Sequence, residues 1–383
     1  MRFYLLPILL LPMVAMAQAS FQFQRTKLSP EISFIQLDSA KGVRSTVIEY
    51  PSFLVVIEVP VIDAGGNRTS NLTEDIPKAT HYLNYLTAEY RKPVKYVLST
   101  HWHLHSLSGI TPFFEHGAQL VVAKSNWQYS LKEGLLSEAD ANRFRKGVVP
   151  VTRDTLLLAR SANPIEVWLL DETYRFKPTK EYLFFFLPKS KTLYASCMCA
   201  IDHVDFTQKP EFYYSDRVSD LDRAIRERKA QVEQLVKLGS EYDETTQAFR
   251  PPVFSRAYYA EFTRRGTPMH TLIRKYQDVG IRQLAEQRDS VVAALTEQRQ
   301  APWLINSVVY ECLSTGEYDK AIAWGQILNL YHPGDLNYID TLGEAYFQAG
   351  HRSMAEHYSR RLRELDADNF SDALASWQRN KPN

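Results

Sequence analysis

The chain has 383 residues, 45% of them hydrophobic, and a formal net charge of +1. This length accommodates two domains with separate cores. The near-zero charge provides no field that would recruit nucleic acid or an anionic membrane surface, so we expect no nucleic-acid partner.

The N-terminal residues predict a bacterial-type secretion signal. Arg2 supplies a positive charge, residues 4–14 form an apolar core, and residues 15–17 are an A-x-A cleavage sequence. The apolar core is too short to span a bilayer and no later stretch is long enough, so we expect no membrane span in the mature chain. We therefore predict a signal peptide over residues 1–19 and an exported protein, periplasmic or secreted. An N-terminal anchor is the alternative.

Residues 20–245 predict an α/β domain. Apolar residues at a spacing of three and four predict a helix over residues 74–91, and Pro93 ends it. A long charged amphipathic helix is predicted over residues 216–238. Apolar or alternating stretches predict strands at Ile32–Leu37, Val43–Tyr50, Phe53–Val59, Val94–Leu98, Gln119–Ala123, Ile165–Leu170, Glu181–Leu187 and Thr192–Ser196.

The C-terminal part predicts helices, with no strand beyond about residue 250. Residues 246–300 predict a helical connector, and residues 301–383 contain a repeated phrase. The phrase L/F-x-x-G-x-x-x-x-A-x-x-W/Y begins at Leu313 and again at Phe347, a period of about 34 residues. It resembles two tetratricopeptide repeats, which implies a concave surface for a protein or peptide partner. An unrelated helical bundle is the alternative.

A histidine-rich motif follows the strand Val94–Leu98. It reads Thr100-His101-Trp102-His103 and continues to His105. Imidazole is a good zinc ligand, and a catalytic zinc ion takes several protein ligands and keeps one position open for water, whose pKa then falls to about 7. The sequence therefore predicts a candidate metal site at the end of this strand.

The motif and its strand resemble metallo-β-lactamase-fold hydrolases, and the resemblance covers roughly residues 28–240. It implies an αβ/βα sandwich and a metal-bound hydroxide that attacks esters or lactams. The family motif is H-x-H-x-D-H, and His101 and His103 match its first two ligands. His105 stands at the Asp position, with Ser106 in place of the last His. By the same alignment, Cys197 corresponds to the bridging Asp, and Asp63 to a residue that supports the ligands from behind.

Two interpretations of this site remain open. In the first, His101, His103, His105 and Cys197 bind one zinc ion at most, and a bound hydroxide acts on an ester; no catalytic base can be assigned. In the second, the metal is lost and Cys197 is a small buried hydrophobic residue. The chain is then an inactive sandwich with helical repeats that acts as a cell-envelope binding or scaffold protein. Whether the protein is an enzyme stays uncertain.

Other residues near this site are weaker candidates. Cys199 is expected to share a strand face with Cys197, since side chains repeat every two residues along a strand. A thiol-based sensor that uses this pair is a further alternative. His203 is within reach of the same cleft, and His270 is a candidate for a displaced last ligand. His116 is expected to be a surface residue.

Overall fold

In the structure, a computed structural model, two mixed β-sheets stack face to face with helices on their outer faces. The structure describes residues 23–36, 44–59, 72–132, 136–208, 211–237, 239, 242–243, 248–269, 271, 280–297, 302–367 and 370–379. The predicted architecture, an α/β sandwich of the αβ/βα type followed by a helical region, is confirmed. The predicted signal peptide lies outside the described residues. Within these ranges, no helix has the length and apolar character needed to cross a bilayer.

The first sheet has seven strands in sequence order. Its first four strands pair antiparallel, and the pairs from β4 to β7 are parallel. The strands are β1 (Gln24–Lys27), β2 (Ile32–Gln36), β3 (Arg44–Glu49), β4 (Leu54–Ile57), β5 (Val94–Leu98), β6 (Gln119–Ala123) and β7 (Val148–Val151).

The second sheet has six strands in the order β16-β13-β11-β10-β9-β8. They are β8 (Thr155–Leu157), β9 (Ile165–Leu170), β10 (Tyr182–Leu187), β11 (Thr192–Tyr194), β13 (Gln234–Val236) and β16 (Val253–Ser255). Two short pairs complete the strands: β12 (Tyr213–Tyr214) with β17 (Thr267–Pro268), and β14 (Tyr242–Asp243) with β15 (Ala248–Phe249).

The helices of the sandwich pack on the outer faces of the two sheets. They are α1 (Leu72–Tyr90), α2 (Leu104–Leu107), α3 (Ile110–Glu115), α4 (Lys124–Lys132), α5 (Glu138–Phe144), α6 (Arg217–Glu227) and α7 (Arg256–Arg265). The C-terminal helices are α8 (Gly280–Glu286), α9 (Arg288–Glu297), α10 (Pro302–Ser314), α11 (Tyr318–Tyr331), α12 (Leu336–Gln348), α13 (Arg352–Leu365) and α14 (Ala373–Arg379).

The strand alternation divides the sandwich into three apolar layers. On β3 and β4, Val47 and Val56 point to the outer layer beneath α1 and α3, whereas Ile48, Val55 and Ile57 point between the sheets. Side chains on a strand alternate between its two faces, so one apolar strand serves both layers. A third layer lies between the second sheet and helices α6 and α7.

Two sequence expectations are wrong at the edge of the second sheet. The helix predicted over residues 216–238 ends at Glu227, because Lys229 adopts a positive φ of 50° that ends the helix. Strand β13 then follows between β11 and β16. A strand also lies beyond residue 250, where none is expected: β16 pairs antiparallel with β13, and Phe254 packs into the outer layer of this sheet.

Helices α10 to α13 pack successively against their neighbours in sequence. Gly316 and Gly350, at φ values of 75° and 81°, form the turns after α10 and α12, a backbone conformation that glycine adopts at little cost. Fully buried Trp324 lies in the core of these helices. An ion pair connects them to the sandwich, with Arg175 Nη2 2.6 Å from Glu311 Oε1.

Candidate functional site

The candidate site lies where β4, β5 and β11 end. Because β4 and β5 are parallel neighbours, their carboxyl ends meet at one edge of the first sheet. The backbone N–H of Glu58 donates to the carbonyl of Leu98 at 2.9 Å and so keeps the two chain ends together. Across the sandwich, the N–H of Leu183 donates to the Thr100 carbonyl at 2.8 Å, which ties the second sheet to the same point.

A buried carboxylate, that of Glu58, lies at the centre of this edge. Its residue is 3% exposed, and Oε1 accepts a short hydrogen bond from Thr100 Oγ1 while Oε2 accepts one from Ser196 Oγ at 3.3 Å. Glu58 and Ser196 both have positive φ, at 61° and 48°. Such a conformation costs a non-glycine residue of the order of 1 kcal/mol, so the contacts made by both side chains hold a strained backbone in place.

The environment of Glu58 changes its acidity. Burial raises the pKa of its carboxyl from 4.5 to about 7, against the opposing effect of hydrogen bonds from Thr100, Ser106 and Ser196. Burial disfavours the charged form of a carboxyl group, and here it outweighs these donors. The Glu58 carboxyl therefore takes up a proton near neutral pH.

His101 is buried behind this carboxylate. It is 0% exposed, and its Nδ1 lies 2.7 Å from Thr100 Oγ1, 3.3 Å from Ser106 Oγ and 4.0 Å from Glu58 Oε1. Its ring stacks on that of Tyr182 at 4.9 Å between centroids. When Glu58 is ionised, Thr100 gives its one hydroxyl hydrogen to that carboxylate and can only accept from His101, which then carries a hydrogen on Nδ1.

Of the other predicted ligands, His103 lies next to His101. The His103 ring is half-buried, 4.6 Å from the His101 ring, and edge-on to Trp102. Cys197 lies in a short 3-10 helix, Ser196–Met198, and burial raises the pKa of its thiol to about 12, so the thiolate form is disfavoured. The backbone of His105 belongs to α2, but the His105 side chain is not among the side chains that the structure describes.

The structure also describes three of the weaker candidate residues, Cys199, His203 and His116. The predicted strand Thr192–Ser196 ends at Tyr194, so the expectation that Cys197 and Cys199 share a strand face is wrong, and Cys199 is buried. His203 packs 4.7 Å from the Phe254 ring, and His116 Nδ1 lies 2.8 Å from the Pro112 carbonyl at the end of α3. Asp63 and His270 lie outside the described residues.

A zinc site places requirements on the number and the arrangement of its ligands. A catalytic zinc ion needs about three convergent protein ligands and an open position. Among the side chains that the structure describes, no three His, Cys, Asp or Glu residues are grouped so that they could hold a metal ion. These side chains therefore do not by themselves fit zinc.

Sequence reasoning missed the residue at the centre of the site. Glu58 directly follows the apolar run Leu54–Ile57 and precedes Val59. The acidic residue inside this apolar run is the sequence feature that could have identified Glu58 as a candidate, because carboxylates are rarely buried unless they have hydrogen-bond partners. The partners Thr100 and Ser196 are distant in sequence, so only the fold brings them together.

Several solved metallo-β-lactamases are similar in fold to this chain. The mono-zinc form of FIM-1 from Pseudomonas aeruginosa is 12% identical, with a TM-score of 0.42, over 63% of this chain and 93% of its own. The enzyme from Pontibacter korlensis is 16% identical, with a TM-score of 0.40, over 62% and 96%. The one from Hirschia baltica is 9% identical, with a TM-score of 0.41, over 63% and 95%. No protein-family model and no curated protein matches the sequence.

Proposed function

We propose that this chain is an exported, non-hydrolytic protein of the cell envelope, in which the sandwich is a platform and the helical region binds a protein or peptide. One observation carries the proposal: the polar residues at the strand ends are buried and hydrogen-bonded to one another. Glu58, Thr100, His101, Ser106 and Ser196 are all at most 6% exposed. The altered metal motif of the sequence agrees with this function.

We infer a non-hydrolytic role because a substrate cannot reach these buried side chains. A catalytic group must come within hydrogen-bond reach of the substrate atom on which it acts. The His101 side chain has no exposed surface, and its Nδ1 already lies against Thr100 and Ser106. These contacts suit a structural role, in which a buried polar network specifies one arrangement of the strand ends.

The helical region offers a surface suited to a basic peptide. Tyr310 of α10 is 41% exposed, and its Oη lies 3.5 Å from Glu344 Oε2 and 3.4 Å from Thr341 Oγ1. Both partners belong to α12, so the aromatic ring lies over the junction of two helices. The exposed tyrosine ring favours a ligand with lysine or arginine side chains through cation–π interactions, whereas Glu344 is only 5% exposed and does not contact the ligand itself. Tyr310 and Glu344 are 34 residues apart, which equals the period of the repeated phrase, and this supports a peptide-binding role for the first helix of each pair.

Replacing Tyr310 with serine should weaken peptide binding. Tyrosine anchors often contribute 1.4 kcal/mol or more to an interface, so we expect about a tenfold higher Kd for Tyr310→Ser. Fluorescence anisotropy with the full chain and labelled decapeptides, one set rich in Lys and Arg and one in Asp and Glu, measures this. The matched control is Leu330→Ser on α11, a residue of similar exposure at 48%. Equal affinity for both peptide sets, or equal loss in both variants, would contradict the proposal.

Removing both motif histidines should leave this binding unchanged. For His101→Asn/His103→Asn we expect an unaltered peptide Kd, because the two rings lie in the sandwich. Metal content of the purified full chain is measured alongside, after incubation with zinc. Near one zinc per chain, lost in the double variant together with ester hydrolysis, would instead establish the single-metal hydrolase. Substoichiometric zinc with intact peptide binding supports the platform role.

A further inference from the structure

A small polar cavity interrupts the apolar layer between the two sheets. It has a volume of about 20 Å³, enough for about one water-sized occupant, and it lies at the same end of the sandwich as Glu58. Its lining combines apolar strand residues with charged and hydroxyl-bearing side chains. The polar lining residues are Arg44, Thr46, Glu58, Thr100, Tyr194, Ser196 and Lys237.

Arg44 reaches this cavity because of strand alternation. On β3, residues 44, 46 and 48 share a face, and Ile48 belongs to the layer between the sheets. The Arg44 side chain therefore points into that layer, where the residue is 7% exposed. Its Nε has no hydrogen-bond partner among the described residues.

Among the residues that the structure describes, no carboxylate forms an ion pair with Arg44. Burial lowers the pKa of its guanidinium, with no neighbouring carboxylate raising it in return. A buried cation is normally paired, because removing it from water without a counter-charge costs several kcal/mol. The Glu58 carboxylate lines the same cavity, but its oxygens accept from Thr100 and Ser196.

Two further donors face the cavity. Tyr194 is 3% exposed, and no group in the described part of the chain meets hydrogen-bond geometry at its Oη, although the nearby Thr46 hydroxyl opposes the rise in pKa that burial gives the phenol. Lys237 Nζ donates to the Ile201 carbonyl and to Asp202 Oδ1, both at 3.0 Å, and adds positive charge at the rim. An unpaired guanidinium N–H and an unpaired phenol O–H in one cavity form a donor set for an anion.

We propose that this cavity is a binding site for one small monovalent anion of about chloride size, held by Arg44 Nε and Tyr194 Oη. The class of ligand follows from the charge of the donors, and the small volume favours a halide ion over a larger oxyanion such as sulfate. The anion would neutralise Arg44 and fasten β3 of the first sheet to β11 of the second.

Chloride binding is measured in solution from the chloride-35 NMR line width with the full chain at constant ionic strength. We expect excess broadening in the wild type, and at least about a tenfold weaker effect for Arg44→Gln, since charge-assisted hydrogen bonds are the strong ones. Tyr194→Phe is the second variant. It removes an oxygen that has no described partner, so the fold should persist while chloride binding weakens several-fold. Arg25→Gln, at a surface ion pair with Glu89, is the control and should match the wild type.

Bromide diffraction locates the ion. Crystals grown in sodium bromide should show an anomalous peak next to Arg44 Nε and Tyr194 Oη in the wild type, and none there in Tyr194→Phe. Equal chloride broadening in the wild type and in both cavity variants would overturn the proposal, as would a water molecule in place of bromide. Neither result bears on peptide binding, because the cavity and the helical surface are separate.

Discussion

Glu58→Gln should make the protein more stable than the wild type at alkaline pH and remove most of its loss of stability between about pH 5 and pH 8. The folded-state pKa of Glu58 is raised to about 7 by burial, above its ordinary 4.5. The folded state therefore binds more protons than the unfolded state between these two values. The free energy of unfolding is therefore highest below pH 4.5 and falls as the pH rises through about 7. For a carboxyl buried this deeply, the fall amounts to about 3 kcal/mol.

Glutamine keeps the shape of Glu58 but cannot ionise. Its amide still contacts Thr100 and Ser196, at a cost of about 1 kcal/mol for altered hydrogen bonds. The measurement is the urea unfolding midpoint of both proteins at several pH values. Glu89→Gln is the control, since its surface ion pair with Arg25 is worth less than about 1 kcal/mol. Parallel pH profiles for Glu58→Gln and the wild type would show that Glu58 does not carry this dependence.

Much of the sandwich is predictable because its signals are local. The strands at Val94–Leu98, Gln119–Ala123 and Ile165–Leu170 have the predicted bounds. Each is a short apolar run between turn residues, and such a run needs two buried faces. The end of α6 was not predictable in this way. The charged amphipathic pattern continues past Glu227. Lys229 adopts a left-handed backbone conformation although it is not glycine, so no residue in the sequence indicates that the helix ends there.

The candidate site is less predictable because its contacts are long-range. The motif lies at the same edge of the sheet as Glu58, since His101 follows β5 and its Nδ1 is 4.0 Å from Glu58 Oε1. Ser196 is 138 residues from Glu58 in sequence, yet its hydroxyl donates to that carboxylate. Side chains that sequence alone treats as separate ligands or spacers form one buried network, whose burial depends on tertiary packing.

Gly343→Ala should loosen the last helix of the chain. A Cβ at this position in α12 would lie 2.6 Å from Trp377 Cζ2, and Trp377 of α14 is almost fully buried. Overpacking of this kind costs about 1–3 kcal/mol. The displaced indole would also give up its 2.9 Å hydrogen bond to Asp340 Oδ1, while alanine returns about 1 kcal/mol of helix propensity. We expect a net loss of about 2 kcal/mol, which is about a 30-fold loss of hydrogen-exchange protection over Ala373–Arg379.

Gly325→Ala is the matched control, because its Cβ would meet the flexible Cδ1 of Leu342 at 3.0 Å. It should leave exchange in α14 unchanged. The double variant Gly343→Ala/Trp377→Phe tests the cause, since phenylalanine lacks the indole atoms that clash. If the clash is responsible, the two substitutions together destabilise α14 by less than the sum of their separate effects. Additive losses, or wild-type protection in Gly343→Ala, would mean that the contact between Gly343 and Trp377 does not hold α14 against α12.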